Sequence, residues 1–358
     1  MTQQEIVNRV LEFIENKDSS EEPFNDLALY LFSYQYGHNI PYQAFCKKKG
    51  KTLRTVKTWK DIPAVPINGF KELTLSCEDP SKSEAVFMTS GTTSGVKGKH
   101  YHPTLAVYDR SMVLNFMDRF MKDQEKIRMG ILFPTEEVMP NSSLAHYLAL
   151  AKGHFGTEDS CYFVGENGLE VNELLHELKH VEESGEPYAL LGATFSFVHL
   201  FEALEQKNIS FKLPKGSKLF DTGGFKNQSK ELKLNEFYER LSGYLGVDRS
   251  QCINMYGMTE LSTQFYDSGN TVVPSTKSGP HWVRTRVVNP LTGNEVKQGE
   301  RGVLVHCDLA NFNSVTTILT EDMGVAQDEG FLLLGRVQGT EAKGCSVAVD
   351  ELIHATKG

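Results

Sequence analysis

Between Thr89 and Gly98 the chain reads Thr-Ser-Gly-Thr-Thr-Ser-Gly-Val-Lys-Gly. Glycines at this density let a backbone curl until successive N–H groups face one point. The Ser and Thr hydroxyls can donate to phosphate oxygens, and Lys97 adds a full positive charge. This is the chemistry of a phosphate cradle; a plain flexible turn is the bland alternative. It is not the loop G-x-x-x-x-G-K-S/T, because Val96 stands where that pattern needs glycine and Gly98 where it needs a hydroxyl. Four smaller signals follow. Asp221-Thr222-Gly223-Gly224 could let a flat ring lie against backbone, or be an ordinary turn. Tyr256-Gly257-Met258-Thr259-Glu260 offers a hydroxyl beside a carboxylate at the end of an apolar run, or an exposed strand-end turn. Thr320-Glu321-Asp322-Met323-Gly324 reads as a loop bearing a carboxylate, with an Asx-type turn as the alternative. Gly335-Arg336 closes the apolar run Phe331–Leu334, where an arginine is usually a solvated charge.

The elements that must position these residues follow from periodicity. The first 80 residues read as helical: Ile6, Val7, Val10, Leu11 and Ile14 recur at helical spacing, as do Leu27, Leu31 and Tyr34, before Pro63 and Pro66. From Glu84 to Tyr256, short apolar runs (Ala85–Met88, Gly130–Phe133, Cys161–Val164, Tyr188–Leu191, Lys218–Phe220 and Cys252–Met255) alternate with helix-length segments. Those are Thr104–Met121, Ser142–Ala151, Glu170–Val181, Thr194–Gln206 and Lys230–Leu245. Such alternation predicts βαβ units and a parallel sheet, with the Thr89–Gly98 loop between a strand and a helix. After Glu260, the runs Trp282–Val288, Gly302–Cys307 and Gly330–Leu334 predict a smaller, β-rich, partly antiparallel subdomain without long helices. The expected division is 1–80 helical, 81–260 α/β core, 261–336 β-rich subdomain and 337–358 a short tail.

Composition narrows the function classes. A chain of 358 residues with net charge −9 does not suit a protein whose main task is neutralising nucleic-acid phosphates. The longest uncharged runs, Val138–Ala151 and Pro187–Phe201, fall short of the roughly 18 apolar residues of a membrane span, and Met1–Val10 shows no secretory signal. Six scattered cysteines without a Cys-x-x-Cys pair predict reduced thiols, a cytoplasmic location and no zinc site.

Taken together and in this order, the motifs resemble those of the adenylate-forming superfamily. That family's loop Ser-Gly-Thr-Thr-Gly-x-Pro-Lys-Gly is matched from Ser90 to Gly98, with Ser94 for a glycine and Val96 for the proline. Its Tyr-Gly-x-Thr-Glu is matched by Tyr256–Glu260, its Thr-x-Asp-x-Gly by Thr320, Asp322 and Gly324, and the start of its hinge by Gly335 and Arg336. The resemblance implies an α/β fold of the large N-terminal domain of these enzymes, with ATP and Mg²⁺ as cofactors. It assigns Ser90, Thr92, Thr93 and Lys97 to the ATP phosphates and Gly223 and Gly224 to the flanks of the adenine, with Gly91, Tyr256 and Gly257 also counted as nucleotide-binding. Thr259 falls to the α-phosphate, Glu260 to Mg²⁺, and Asp322 and Arg336 to the ribose hydroxyls. A carboxylate accepting from a diol and a hard oxygen ligand for Mg²⁺ agree with those residue types.

Departures from the family pattern point to a branch. Gln338 stands where the hinge usually has Asp or Lys, and only 13 residues follow Cys345, so the usual C-terminal domain is expected to be missing. The ending Gly335–Asp350, with Lys343-Gly344-Cys345-Ser346, and the basic Lys97-Gly98-Lys99-His100 resemble the acyl-protein synthetases of luminous bacteria. That resemblance implies activation of a fatty acid as acyl-AMP, capture on Cys345 as a thioester, and delivery to an acyl-CoA-reductase-type partner. The thiol would need a cation such as Lys343 to raise its thiolate fraction, and Gly339 and Gly344 would be pivots. A short acid–CoA ligase and a non-catalytic nucleotide-binding subunit are the alternatives. His100, His102 and His146 are read as structural.

Overall fold

The structure is a computed structural model that describes residues 1–17, 19–90, 95–223, 233–337 and 339–356, with side chains outside 339–345. In chain order the N-terminal elements are α1 (Gln3–Glu15), α2 (Glu21–His38), α3 (Ile40–Lys48), β1 (Val65–Pro66) and α4 (Gly69–Glu72). Next come β2 (Ala85–Met88), β3 (Lys99–His102), α5 (Ala106–Phe116), β4 (Arg128–Leu132), α6 (Ser143–Phe155), β5 (Cys161–Tyr162), β6 (Val164–Gly165) and β7 (Gly168–Leu169). These lead into α7 (Val171–Ser184), β8 (Tyr188–Ala193), α8 (Thr194–Lys207), β9 (Lys218–Thr222), α9 (Leu234–Leu245), β10 (Cys252–Tyr256), β11 (Phe265–Tyr266) and β12 (Thr276–Lys277). The chain finishes with β13 (Val283–Val288), β14 (Arg301–Asp308), β15 (Thr317–Gln327), β16 (Gly330–Arg336) and α10 (Gly339–Thr356). It forms two compact units: Met1–Met112 with Met258–Thr263 and Ser278–Gly358, and Val113–Gly257 with Gln264–Lys277.

The second unit holds the expected parallel sheet. Its strand order is β11-β10-β9-β8-β4-β5, parallel from β10 through to β5, with β11 antiparallel at the β10 edge. All six residues of Tyr188–Ala193 are buried, as an apolar strand covered on both faces requires. Leu174, Leu178 and Val181 of α7, Phe197, Phe201 and Leu204 of α8, and Phe237 and Leu241 of α9 build one core with Leu190 and Leu219. Removing that apolar area from water is the main force holding the layers together.

In the first unit, β13 to β16 pair as an antiparallel meander in sequence order, and β1 joins β15 in parallel. At the N-terminus, α1 begins with a reciprocal cap: the Thr2 hydroxyl accepts from Glu5 N, and Thr2 N donates to the Glu5 carboxylate at 2.7 Å. Its buried residues are Ile6, Val7, Val10 and Ile14, four of the five that the spacing singled out.

Three expectations need correction. Ala85–Met88 is no member of the parallel sheet: it pairs antiparallel with Lys99–His102, Met88 opposite Lys99. The phosphate-loop candidate therefore connects two strands of a hairpin, and the helix comes later. Thr320–Gly324 is not a loop but the middle of the eleven-residue strand β15. Finally, the region after Glu260 does contain a long helix, α10, which includes Gly339 and Gly344, the residues read as pivots. Two glycines and several β-branched residues weaken its intrinsic propensity. Packing supports it instead: Leu352 is fully buried, and a Cβ at Gly69 would stand 2.5 Å from the Leu352 side chain.

Candidate active site

In the first unit, the base of the Thr89–Gly98 loop is closed by two bonds. Thr89 N donates to Gly98 O at 3.0 Å, and Gly98 N donates to Thr89 Oγ1 at 2.9 Å. Ser90 and Lys97 are exposed on either side of this closure. Gly91, Thr92 and Thr93 lie outside the described residues, as do Ser94, Gly224 and Gln338. Gly98 is a close-approach glycine: a Cβ there would sit 3.3 Å from Glu260 Oε1. The Glu260 carboxylate, only 4% exposed, thus lies against the loop's base.

Side chains distant in sequence hold this pairing in place. Asn311 Nδ2 donates to Glu260 O at 2.8 Å, while Asn311 Oδ1 accepts from Ser262 N at 2.8 Å, so one amide grips the turn on both sides of Leu261. Asp308, fully buried at the end of β14, accepts from Ser262 N at 3.0 Å, Thr263 N at 2.9 Å and the Thr263 hydroxyl at 2.7 Å. Burial pushes its carboxyl up to about 6, against the pull of those donors. Gln35 of α2 donates in turn to Asn311 O and Phe312 O. No sequence signal marked Asn311, 51 residues from Glu260; a carboxylate closing the apolar run before it was the nearest clue.

His100 does a related job. Its Nδ1 lies 3.0 Å from Thr259 O, so that nitrogen carries the proton, and Nε2 faces Ser314 Oγ at 3.0 Å. Burial lowers its pKa to about 4, so the ring is neutral and tethers Thr259 rather than adding charge beside the loop. Further along the same unit, Asp322 and Arg336 occupy opposite positions on β15 and β16, with Arg336 Nε 3.1 Å from Asp322 Oδ1.

In the second unit, Gly223 and Tyr256-Gly257 emerge from the carboxyl ends of the adjacent parallel strands β9 and β10, where open α/β sheets place their ligands. Gly223 has φ +82°, a conformation that favours glycine. Beneath it, Asp221 accepts from Thr194 Oγ1 at 3.1 Å, Tyr238 OH at 2.9 Å and Asn254 Nδ2 at 2.8 Å. Thr222 Oγ1 donates to Met255 O at 3.0 Å, locking the two strand ends together.

Cys345 lies within α10, and its side chain, like that of Lys343, is outside the described set. The described cysteines, 46, 77, 161, 252 and 307, are free thiols. Burial raises the pKa of Cys46 to about 12, and Cys307 likewise, which makes both poor nucleophiles.

The Glu260 side chain offers one buried carboxylate beside the loop; among the described residues no group of three or more His, Cys, Asp or Glu could hold a metal ion. That suits Mg²⁺, which is commonly held by one or two carboxylates together with substrate phosphates.

Two comparisons place the molecule in a class. It resembles 2-hydroxyisobutyryl-CoA ligase in complex with 2-HIB-AMP and CoA, with a TM-score of 0.66 and 14% identity over 88% of this chain and 69% of that one. ATP-bound MatB from Rhodopseudomonas palustris matches with a TM-score of 0.53 and 16% identity, over 72% of this chain and 49% of that one. The fold is thus a mixed α/β fold similar to those of adenylate-forming ligases. The profile of the family described as acyl-protein synthetase, LuxE, matches residues 4–354, and the chain belongs to that family. Among characterised relatives are the long-chain-fatty-acid–luciferin-component ligases of Vibrio harveyi and Aliivibrio fischeri, each 23% identical. The matches span 90% and 94% of this chain and 86% and 90% of those proteins. The protein is a ligase of the acyl-protein synthetase type.

Proposed function

We propose that this ligase uses ATP and Mg²⁺ to convert a long-chain fatty acid to its acyl-AMP and then passes the acyl group to its own Cys345. The observation that carries the reading is the seat of the Glu260 carboxylate against the base of the Ser90–Gly98 loop, in a chain of this family. Ser90, Gly91, Thr92, Thr93 and Lys97 bind and orient the triphosphate; Thr259 meets the α-phosphate; Asp322 and Arg336 take the ribose hydroxyls. Gly223, Gly224, Tyr256 and Gly257 receive the adenine. Mg²⁺ on Glu260 would supply charge neutralisation at the phosphates. An acid oxygen attacks the α-phosphorus, a new C(O)O–P bond forms, and the bond to the β-phosphate breaks as pyrophosphate leaves. The Cys345 thiolate, having given its proton to solvent, then attacks the acyl carbon; the C–S bond forms and AMP leaves. The thioester is handed on to an acyl-CoA-reductase-type protein.

The names of the relatives in Vibrio harveyi and Aliivibrio fischeri support a long-chain acid as substrate. Intact-protein mass spectrometry after incubation with ATP, Mg²⁺ and tetradecanoic acid tests the reading. One hydroxylamine-sensitive acyl group should be added, and Cys345→Ser should abolish it while keeping acid-dependent exchange of pyrophosphate into ATP. Label retained in Cys345→Ser moves the acceptor elsewhere. Acyl-CoA made from added CoA with no protein label would replace this reading with a CoA ligase.

A further inference from the structure

Between Lys47 and Lys60 the chain carries six lysines, one arginine and no carboxylate, in a molecule whose net charge is −9. Three of these cations are answered: Lys49 pairs with Glu351, Lys51 with Asp61 at 3.3 Å, and Lys60 with Glu295 at 3.3 Å. Lys47, Lys48, Arg54 and Lys57 are exposed, and none pairs with a carboxylate among the described residues. The segment is a compact turn rather than a strung-out tail. Lys51 N donates to Cys46 O at 2.9 Å, and Val56 N to Thr52 O at 3.0 Å. At its middle Leu53 is 51% exposed, and it helps line a groove of about 300 Å³ with Leu29, Phe32, Ser33, Val56 and Lys57. Ile40, 80% exposed, lies on α3 seven residues before Lys47, hence on the same helix face.

We infer that this turn is a docking surface for an anionic lipid bilayer. Charge complementarity is the argument, and the residue types decide between partners. Protein interfaces favour arginine and aromatic side chains and are depleted in lysine. Lysines around an exposed aliphatic side chain instead match a diffuse layer of anionic headgroups, into which Leu53 and the lysine stems can dip. The negative charge of the rest of the molecule does not cancel the attraction, because at physiological salt it is screened beyond about 8 Å. A long-chain acid partitions into lipid, so an enzyme held at that surface meets its substrate there; this use rests on the function proposed above, whereas the docking does not.

Vesicle co-sedimentation without ATP or acid tests the docking alone. The protein should sediment with phosphatidylcholine vesicles containing about one third phosphatidylglycerol, and be released by high salt. Pure phosphatidylcholine should leave it in solution. The variant Lys47→Glu/Lys48→Glu/Arg54→Glu/Lys57→Glu should lose roughly tenfold or more of the bound fraction. Leu53→Asp, which keeps every cation, should also weaken binding. Wild-type protein that ignores anionic vesicles, or a quadruple variant that binds as well as wild type, overturns the inference. Loss of binding to an acidic protein alone, with vesicles ignored throughout, overturns it too. Anionic binding by a protein that shows no pyrophosphate exchange would keep this surface and remove the proposed reaction. In the quadruple variant, exchange with a short water-soluble acid should match wild type.

Discussion

Asp322 and Arg336 face each other across β15 and β16, fourteen residues apart in sequence but direct partners in the antiparallel ladder. Arg336 Nε lies 3.1 Å from Asp322 Oδ1, and the Thr320 hydroxyl accepts from Asp322 N at 3.1 Å. The Asp322 side chain is 10% exposed against 56% for Arg336, so the carboxylate is fixed by the sheet while the guanidinium reaches into solvent. A register shift between Met323 and Gly324 falls beside the pair. There Gly324 leaves room that a Cβ would lose to Leu304 and to the carbonyl of Leu332.

If this pair grips the ribose, Asp322→Ala should weaken ATP binding by roughly 1.5–3 kcal/mol, the usual worth of hydrogen bonds to a charged group. Arg336→Ala should cost less, and the double variant should fall short of the sum, because neighbours that share a partner are coupled. Calorimetric titration with ATP reads all three. Unchanged affinity in Asp322→Ala would leave the pair a purely structural bridge.

Glu260→Gln keeps the volume and removes the charge. The acid-dependent exchange of pyrophosphate into ATP should drop on the order of 10²-fold, and the remainder should need more Mg²⁺ to saturate. An unchanged Mg²⁺ requirement would take Glu260 out of the metal site.

Asn311→Ala should take away the amide donor to the Glu260 carbonyl and one of the two acceptors of Ser262 N–H, leaving that N–H to Asp308. Losing the buried bond to the Glu260 carbonyl should cost about 1–3 kcal/mol, so denaturant unfolding should register a loss of stability. Half-saturating Mg²⁺ for MgATP binding should rise as well, since the backbone that carries the carboxylate loses a tether. Loss of stability with Mg²⁺ dependence intact would make Asn311 a scaffold residue only.

His100 makes stability depend on pH. Its folded pKa of about 4 lies below the ordinary histidine value, so between about 4 and 6.5 the unfolded chain binds more protons than the native one. Stability from this residue is therefore present above that window and lost as pH falls through it. His100→Gln, which still offers a donor and an acceptor, should flatten the fall in melting temperature from pH 7 to 5. Parallel curves for wild type and variant would show that another group dominates the acid response.

The sequence alone carried the motifs, the helices of the first 48 residues (though not the turns and strand β1 that follow within the stretch read as helical) and the alternation that built the β4-β8-β9-β10 sheet, because each is a local pattern of residue type and spacing. Phe197, Phe201 and Leu204 announce a helix face before anything is known of what covers it. Pairing was another matter. The apolar run Ala85–Met88 has the same local pattern whether it joins a parallel sheet or turns back on Lys99–His102, and the hairpin is visible only in the tertiary structure, where His100 also reaches Thr259 and Phe87 packs on His102. Glu321 and Asp322 look like loop residues until Arg336 arrives on the neighbouring strand to answer their charge. The grip of Asn311 on Glu260, and the burial of Leu352 that holds α10, join residues far apart in sequence. Such contacts leave no periodic trace, because their free energy comes from desolvation and hydrogen bonding that exist only once the chain has closed around them.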